Sequence, residues 1–282
     1  MKNWSLLVLV VLLSACRSTI ASNTPGDVLT TQAPPVTQTL TPTNTTTPTP
    51  VATVETPSPT PAITSFEVCS PLEEETFETL PLILINPLEI PSFGQDTGHH
   101  GVDFAYFRRG ERESIEGIEI YAILSGRTVL TLDDDIPYGY TVLIETPLSD
   151  LPQDLQENLL AGYLPVPQDP NYRLFCPEVT PPALTSEFSV YHLYAHMQVR
   201  PGFNRGDPIP CGAMLGTVGN TGYSSNPHLH LETRLGPSGA AFETMAHYEN
   251  TNSLEQMSNY CLWRMSGYYQ LFDPYLLFDA AE

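Results

Sequence analysis

Five of the seven histidines in this 282-residue chain, together with one aspartate, sit in three short segments far apart in sequence. The segments are His99-His100-Gly101-Val102-Asp103, Tyr194-Ala195-His196 and Asn226-Pro227-His228-Leu229-His230. If these residues act as one site, the fold has to bring three distant stretches into a single cleft. Two imidazoles and a carboxylate make a three-ligand zinc set with one position left for water, the pattern that separates catalytic from structural zinc. An aspartate oxygen beside imidazole nitrogens suits zinc better than calcium, which prefers all-oxygen cages.

Spacing inside each segment says which side chains can act together. Residues two apart on a strand share a face. His228 and His230 therefore project together while Leu229 turns into the core, and Pro227, lacking an N–H, suits the first residue of such a strand. A solvent-facing pair of histidines is the bland alternative. His99 and Asp103 are four apart, again an even separation, and Gly101 lets the backbone pass close. His100 then points away and takes no part in ligation. His196 closes an apolar and aromatic strand, where the alternative is a hydrogen-bonded core histidine. His192 and His247 lack such a setting and are read as structural.

Short β-branched or alternating runs predict strands at 118–122, 126–132, 140–144, 188–196, 214–218 and 228–233, with Gly and Pro-Tyr-Gly breaks between them. Amphipathic helices are scarce, with candidates only at 151–164 and 254–265. The fold class expected is mainly β, a compact antiparallel sheet or sandwich with long loop insertions. Those insertions are expected near 106–117, 147–187 and 240–269, within a folded region spanning 65–282. The stretch 147–187 is Pro-rich and longer than a usual connection, and is read as an elaborated loop near the site, pinned by Cys176.

The N-terminus reads as an export leader over residues 1–15. Lys2 supplies its basic end, and the apolar run Leu6 to Leu13 is too short to span a bilayer. Leu13-Ser14-Ala15-Cys16 then resembles a bacterial lipobox, in which the cysteine is acylated and becomes the mature N-terminus. A plain secretory signal is the alternative. Residues 16–64 are dominated by Thr and Pro. Without aromatics that stretch cannot bury enough surface to offset its ordering entropy, and proline density favours an extended spacer reaching on the order of 100 Å. Its Thr clusters also fit O-glycosylation by composition.

If Cys16 carries lipid, four of the five cysteines remain: Cys69, Cys176, Cys211 and Cys261. An even number in an exported chain suggests two disulfides whose pairing the sequence leaves open. The formal net charge of −21 leaves no basic stripe to neutralise phosphates, which argues against nucleic acid as a partner.

Together the motifs resemble the lysostaphin/LytM-type peptidoglycan zinc metallopeptidases. That family's signature is an H-x-x-x-D segment, a Tyr-Ala-His-like segment, and a late H-x-H after a Gly-x-Thr-Gly turn. Here these are His99 to Asp103, Tyr194-Ala195-His196-Met197, and Gly219-Asn220-Thr221-Gly222 leading to His228-Leu229-His230-Leu231-Glu232. Phe93-Gly94 and Tyr138-Gly139-Tyr140 match as well, with a weaker echo at Asp273-Pro274. The resemblance implies a duplicated hybrid β motif, one Zn2+ per chain on His99, Asp103 and His230, and His196 and His228 acting on the water and the transition state.

It further implies a membrane-anchored endopeptidase hydrolysing peptide cross-links of peptidoglycan. The expected partners are cell-wall peptides and the membrane, through lipid on Cys16, at the outer face of the cell membrane; a monomer is expected. Two other readings stand beside it: an inactive regulator or wall-binding lipoprotein on the same fold, and a zinc peptidase for protein substrates. The charged run Tyr106 to Glu113 and the other insertions depart from the family pattern and bear on how the groove is shaped.

Overall fold

Segments of alternating and β-branched residues form the strands. In chain order these are β1 (Leu84–Asn86), β2 (Val102–Phe104), β3 (Glu119–Tyr121), β4 (Gly126–Asp135), β5 (Gly139–Pro147), β6 (Phe188–Met197), β7 (Pro208–Ile209), β8 (Met214–Thr217), β9 (Leu229–Pro237) and β10 (Gln270–Leu271). Among the described residues four α-helices accompany them: α1 (Leu80–Ile83), α2 (Gln153–Gly162), α3 (Leu254–Arg264) and α4 (Tyr275–Phe278). The computed structural model describes residues 66–167, 176–183 and 185–281. The expected leader, the Cys16 lipidation site and the Thr/Pro-rich stretch lie outside these. Among the described residues no helix is long and apolar enough to cross a membrane.

All strands anticipated from the sequence are present, to within a few residues at their ends. The unanticipated β1, β2, β7 and β10 are two or three residues long, too short for a period-2 pattern to register. Both anticipated helices form. A capping box starts α3: the Ser253 side chain accepts from the Gln256 N–H, and the Gln256 side chain accepts from the Ser253 N–H.

Every pairing is antiparallel. One eight-stranded sheet has the order β1-β2-β9-β6-β5-β4-β7, with β10 also paired to β9, and β3 and β8 form a separate two-stranded sheet. The architecture is therefore mainly β, as expected. The two faces of the large sheet carry different cores. Val102, Phe104, Leu229, Leu231, Leu235, Val190 and Tyr194 join the small sheet's Ile120 and Leu215 in one apolar cluster. On the opposite face Tyr191, Leu193 and Ala195 pack with Phe242, Trp263 and Tyr269 from the C-terminal segment. With both faces covered, every residue of β9 is buried, so its alternation separates two interiors rather than core from solvent.

The insertions are built against this scaffold. The 147–187 stretch contains α2, and the residues directly after that helix bond to the C-terminal segment. Tyr163 Oη donates to the Tyr268 carbonyl at 3.0 Å, and Leu164 exchanges two hydrogen bonds with the Gln270 amide at 2.8 and 2.7 Å. In the 106–117 stretch Arg109 bridges to Arg112 and pairs with the Glu75 carboxylate. The four cysteines pair as Cys69–Cys211 and Cys176–Cys261, so the second disulfide fastens the 147–187 insertion to α3. The two bonds join residues 142 and 85 apart. In the chain-entropy account a link closing loops of that size stabilises by about 4–5 kcal/mol.

His192 is structural, within a fully directed hydrogen-bond chain. The Ile123 N–H donates to Tyr194 Oη at 2.7 Å, and that hydroxyl donates to His192 Nδ1 at 2.8 Å, because the proton of the neutral ring is on Nε2. His192 Nε2–H then donates to Thr146 Oγ1 at 3.1 Å, which donates to the Ser125 carbonyl at 2.8 Å.

Two measurements follow from this packing. Peptide mapping without reduction should recover Cys69 linked to Cys211 and Cys176 linked to Cys261, and any other pairing contradicts the arrangement. Burial lowers the pKa of His192 from 6.5 to about 3. Between those values the unfolded chain takes up a proton that the folded chain refuses. This contribution to stability is therefore full above about pH 6.5 and declines as pH falls, by about 1.4 kcal/mol per pH unit. Urea unfolding of His192→Gln should show a correspondingly shallower loss between pH 6 and pH 4.5; an unchanged slope argues against the buried neutral histidine.

Candidate metal centre

The register across three strands assembles the site. Asp103 on β2 lies opposite His230 on β9, and His230 lies opposite Ala195 on β6. Partners across an antiparallel ladder share a face, so Asp103 projects on the side of His230 while its neighbours Val102 and Phe104 fill the other core. The pair Gly98–His99 precedes β2, and a bridge between Glu89 and His99 brings the His99 ring alongside. Gly101 is required for this approach. A Cβ there would stand 2.5 Å from the Leu231 carbonyl oxygen and 2.9 Å from the His230 ring.

Three donor atoms then converge. His99 Nε2, Asp103 Oδ1 and His230 Nδ1 stand 3.0, 3.1 and 2.8 Å from one another. Ligands of one tetrahedral zinc at ordinary bond lengths would be separated by about 3.3 Å, so the triangle fits that ion with a slight expansion. The outward atoms of all three residues are occupied, as metal ligands require. His99 Nδ1 donates to the Pro87 carbonyl at 2.9 Å, Asp103 Oδ2 accepts from Asn86 Nδ2 at 3.2 Å, and His230 Nε2 donates to Glu232 Oε1 at 3.2 Å. In its neutral form each imidazole then has a bare nitrogen aimed into the triangle, and a metal ion binding there would displace the proton that His230 Nδ1 otherwise directs at Asp103. Burial opposes charge on His230, yet the Asp103 and Glu232 carboxylates outweigh it and lift its pKa to about 9. Burial likewise works against the Asp103 carboxylate, but the adjoining His230 and His99 rings hold its pKa well below the usual range.

His196 and His228 face the same cleft from the other side, their rings 4.6 Å apart. His196 has φ +58°, a left-handed conformation uncommon for a residue with a side chain. The neighbouring turn holds it: Thr221 Oγ1 donates to the Met197 carbonyl and the Thr221 carbonyl accepts from His196 Nδ1, both at 2.8 Å. His228 immediately precedes β9, and its Nδ1 donates to the Asn226 carbonyl at 2.8 Å. Both rings therefore turn Nε2 lone pairs toward the cleft, with His228 Nε2 3.5 Å from Asp103 Oδ1. Burial lowers the pKa of both, that of His196 to about 3. The three histidines 196, 228 and 230 also bring donor atoms within 4.8 Å of one another. That set lacks an anionic donor, whereas the set containing Asp103 offers one to a divalent cation.

All five residues singled out in the sequence thus line one cleft of about 320 Å³, together with Tyr138, Tyr223, Ser224 and Arg264. His100 points away, buried, with Nδ1 accepting from Arg234 Nη2 at 2.9 Å.

Several contributors were not legible in the motifs. Glu232 and Arg234 continue the His228–His230 face of β9, so the same period-2 rule that paired the histidines extends to them. Glu232 is wholly buried among Tyr138 Oη at 2.7 Å, Trp263 Nε1 at 3.0 Å and Arg234 Nε at 3.0 Å. Arg234 chiefly offsets the burial cost and keeps this carboxylate's pKa well below its ordinary value. Trp263 and Arg264 end α3, about which the local sequence carries no functional signal.

The model of peptidase family M23 matches residues 183–242. No curated protein matches the chain. Among solved structures, the lysostaphin catalytic domain of Staphylococcus simulans is 18% identical over 73% of this chain and 99% of its own, with a TM-score of 0.35. A zinc-containing peptidase from Vibrio cholerae is 16% identical over 60% of this chain and 33% of its own, with a TM-score of 0.29. A Pseudomonas aeruginosa chain assigned to peptidase M23 is 19% identical over 61% of this chain, which spans about half (49%) of its length, with a TM-score of 0.28. All three scores lie below 0.5 and carry no argument here. Over residues 183–242, which hold the Tyr-Ala-His and H-x-H motifs, this chain matches peptidase family M23, in agreement with the lysostaphin/LytM-type resemblance of its motifs.

Proposed function

We propose that this chain is a zinc metalloendopeptidase that cuts peptide cross-links of peptidoglycan, tethered to the outer face of the cell membrane by lipid on Cys16. The reading is carried by one observation: a carboxylate oxygen and two imidazole nitrogens form a triangle 2.8–3.1 Å on edge, with two further imidazoles facing it across a cleft. His99, Asp103 and His230 would hold one zinc. When bound, that ion supplies Lewis acidity, making water a nucleophile near neutral pH and polarising a carbonyl.

The protein's own groups do the rest. The carbonyls of Asn226 and Thr221 fix the His228 and His196 tautomers, so each ring offers an Nε2 lone pair to the cleft. His228, nearer Asp103, accepts a proton from the water as its oxygen bonds to the peptide carbon. The histidine that has gained a proton can hydrogen-bond the oxygen on which charge builds, then hand the proton to the departing amine as the C–N bond breaks. Proton transfer of this kind contributes about 10²–10⁴-fold. The cleft mouth is edged by the exposed Tyr223 and by Ser224 and Ser225, which suits an extended peptide with polar groups. The leader, lipid site and Thr/Pro spacer expected from the sequence agree with an enzyme working within the wall layer.

Purified peptidoglycan incubated with the full chain, with and without chelator, tests this by mass spectrometry of the released fragments. Peptide fragments should appear and chelator should abolish them. His230→Ala should lose zinc and cleavage together. His228→Ala should keep zinc and lose turnover by about 10²–10⁴-fold. Continued wall cleavage by His230→Ala contradicts the ligand assignment, and full activity of His228→Ala contradicts the proton-transfer role.

A further inference from the structure

α3 lies outside the segment that matches the peptidase family, in the C-terminal insertion, yet its last two residues reach the metal centre. Arg264 Nε donates to Asp96 Oδ1 at 2.7 Å, and its Nη1 lies 3.2 Å from Tyr138 Oη and 3.5 Å from Glu232 Oε1. Asp96 sits in the loop that leads into His99. Glu232 is the acceptor for His230 Nε2–H. One guanidinium thus touches both segments that carry donors of the triangle, which are 131 residues apart at His99 and His230.

The rest of the helix reinforces the link. Trp263 Nε1 donates to the other Glu232 oxygen at 3.0 Å, while the Trp263 carbonyl accepts from Arg234 Nη1 at 3.0 Å. Tyr260 Oη donates to Asp96 Oδ2 at 2.7 Å, and Tyr248 Oη reaches the same oxygen. Just past the helix, the Met265 carbonyl accepts from the Gly94 N–H at 2.9 Å. The Cys176–Cys261 disulfide fastens the helix two residues before Trp263.

We infer that α3 is a working part of the metal centre, in which Arg264 is a positioning residue that sets the His99 loop against β9, and Trp263 fixes Glu232 so that His230 presents Nδ1 to the ion. The inference rests on the zinc reading above. Its physical basis is the cost of a buried carboxylate. The carboxylate oxygens of Glu232 and Asp96 are held in place only while donors satisfy them, and α3 supplies donors to both. Hydrogen-bond partners behind metal ligands commonly govern affinity by about 10–100-fold. A planar fork that serves two acceptors at once is a task for arginine that lysine fills only in part.

The experiment is zinc affinity by chelator competition, together with the visible spectrum of the Co2+-loaded protein, on the full chain and on Arg264→Gln, Arg264→Lys and Trp263→Phe. Expected are zinc binding about 10–100-fold weaker in Arg264→Gln, partial recovery in Arg264→Lys, and a smaller loss in Trp263→Phe. The cobalt bands of Arg264→Gln and Trp263→Phe should shift, since those bands report ligand directions. A helix that merely stabilises the fold would lower the melting temperature and leave the bands in place. If Arg264→Gln does not fold, Trp263→Phe carries the test. Zinc affinity within twofold of the parent, or unchanged cobalt bands in both of those variants, overturns the inference. A parent chain that takes up neither ion overturns the zinc reading instead.

Discussion

Asp103 and His230 face each other across β2 and β9, and the rest of the site depends on that register. β9 is paired on its other side with β6, so His230 is also level with Ala195, one residue short of His196. A slip of one residue would send His230 and Glu232 into the apolar cluster and bring Leu229 and Leu231 to the cleft. The apolar residues of β9 oppose this slip. Leu229, Leu231 and Leu235 are all buried in the larger core, and each such side chain contributes about 1.5–3 kcal/mol on burial. The same alternation that stabilises the sheet thereby fixes which nitrogens meet the carboxylate.

The polar face of β9 poses the opposite problem, because it buries two imidazoles, a carboxylate and a guanidinium in succession. Isolated, each would be costly. The structure satisfies them mutually and through the C-terminal segment: Glu232 by Tyr138, Trp263 and Arg234, and Arg234 in turn by the Trp263 and Tyr269 carbonyls at 3.0 Å. The C-terminal segment is thus the cover over a charged strand face. Its attachment to the 147–187 insertion by a disulfide makes the two departures from the family pattern one structural unit.

Much of this was legible before any coordinates. The strands declared themselves by β-branched alternation, and the spacing of His99, Asp103, His228 and His230 indicated which side chains share a face. Gly101 was singled out for close backbone approach, and the Cβ test bears that out. Four things were not legible. Strands of two or three residues leave no period. Disulfide partners are set by the three-dimensional path. The left-handed turn at His196 depends on its neighbour Thr221. Finally, Trp263 and Arg264 gain their roles only when α3 folds back over β9. Glu232 and Arg234 stand apart, because the rule used for the two histidines reaches them without any further assumption.

The central claim is that one cation sits among His99, Asp103 and His230, and anomalous diffraction at the zinc edge from crystals grown with zinc tests it most directly. The account predicts a single strong peak within about 2.2 Å of His99 Nε2, an Asp103 carboxylate oxygen and His230 Nδ1. A peak centred instead among His196, His228 and His230, or none in the cleft, would contradict it.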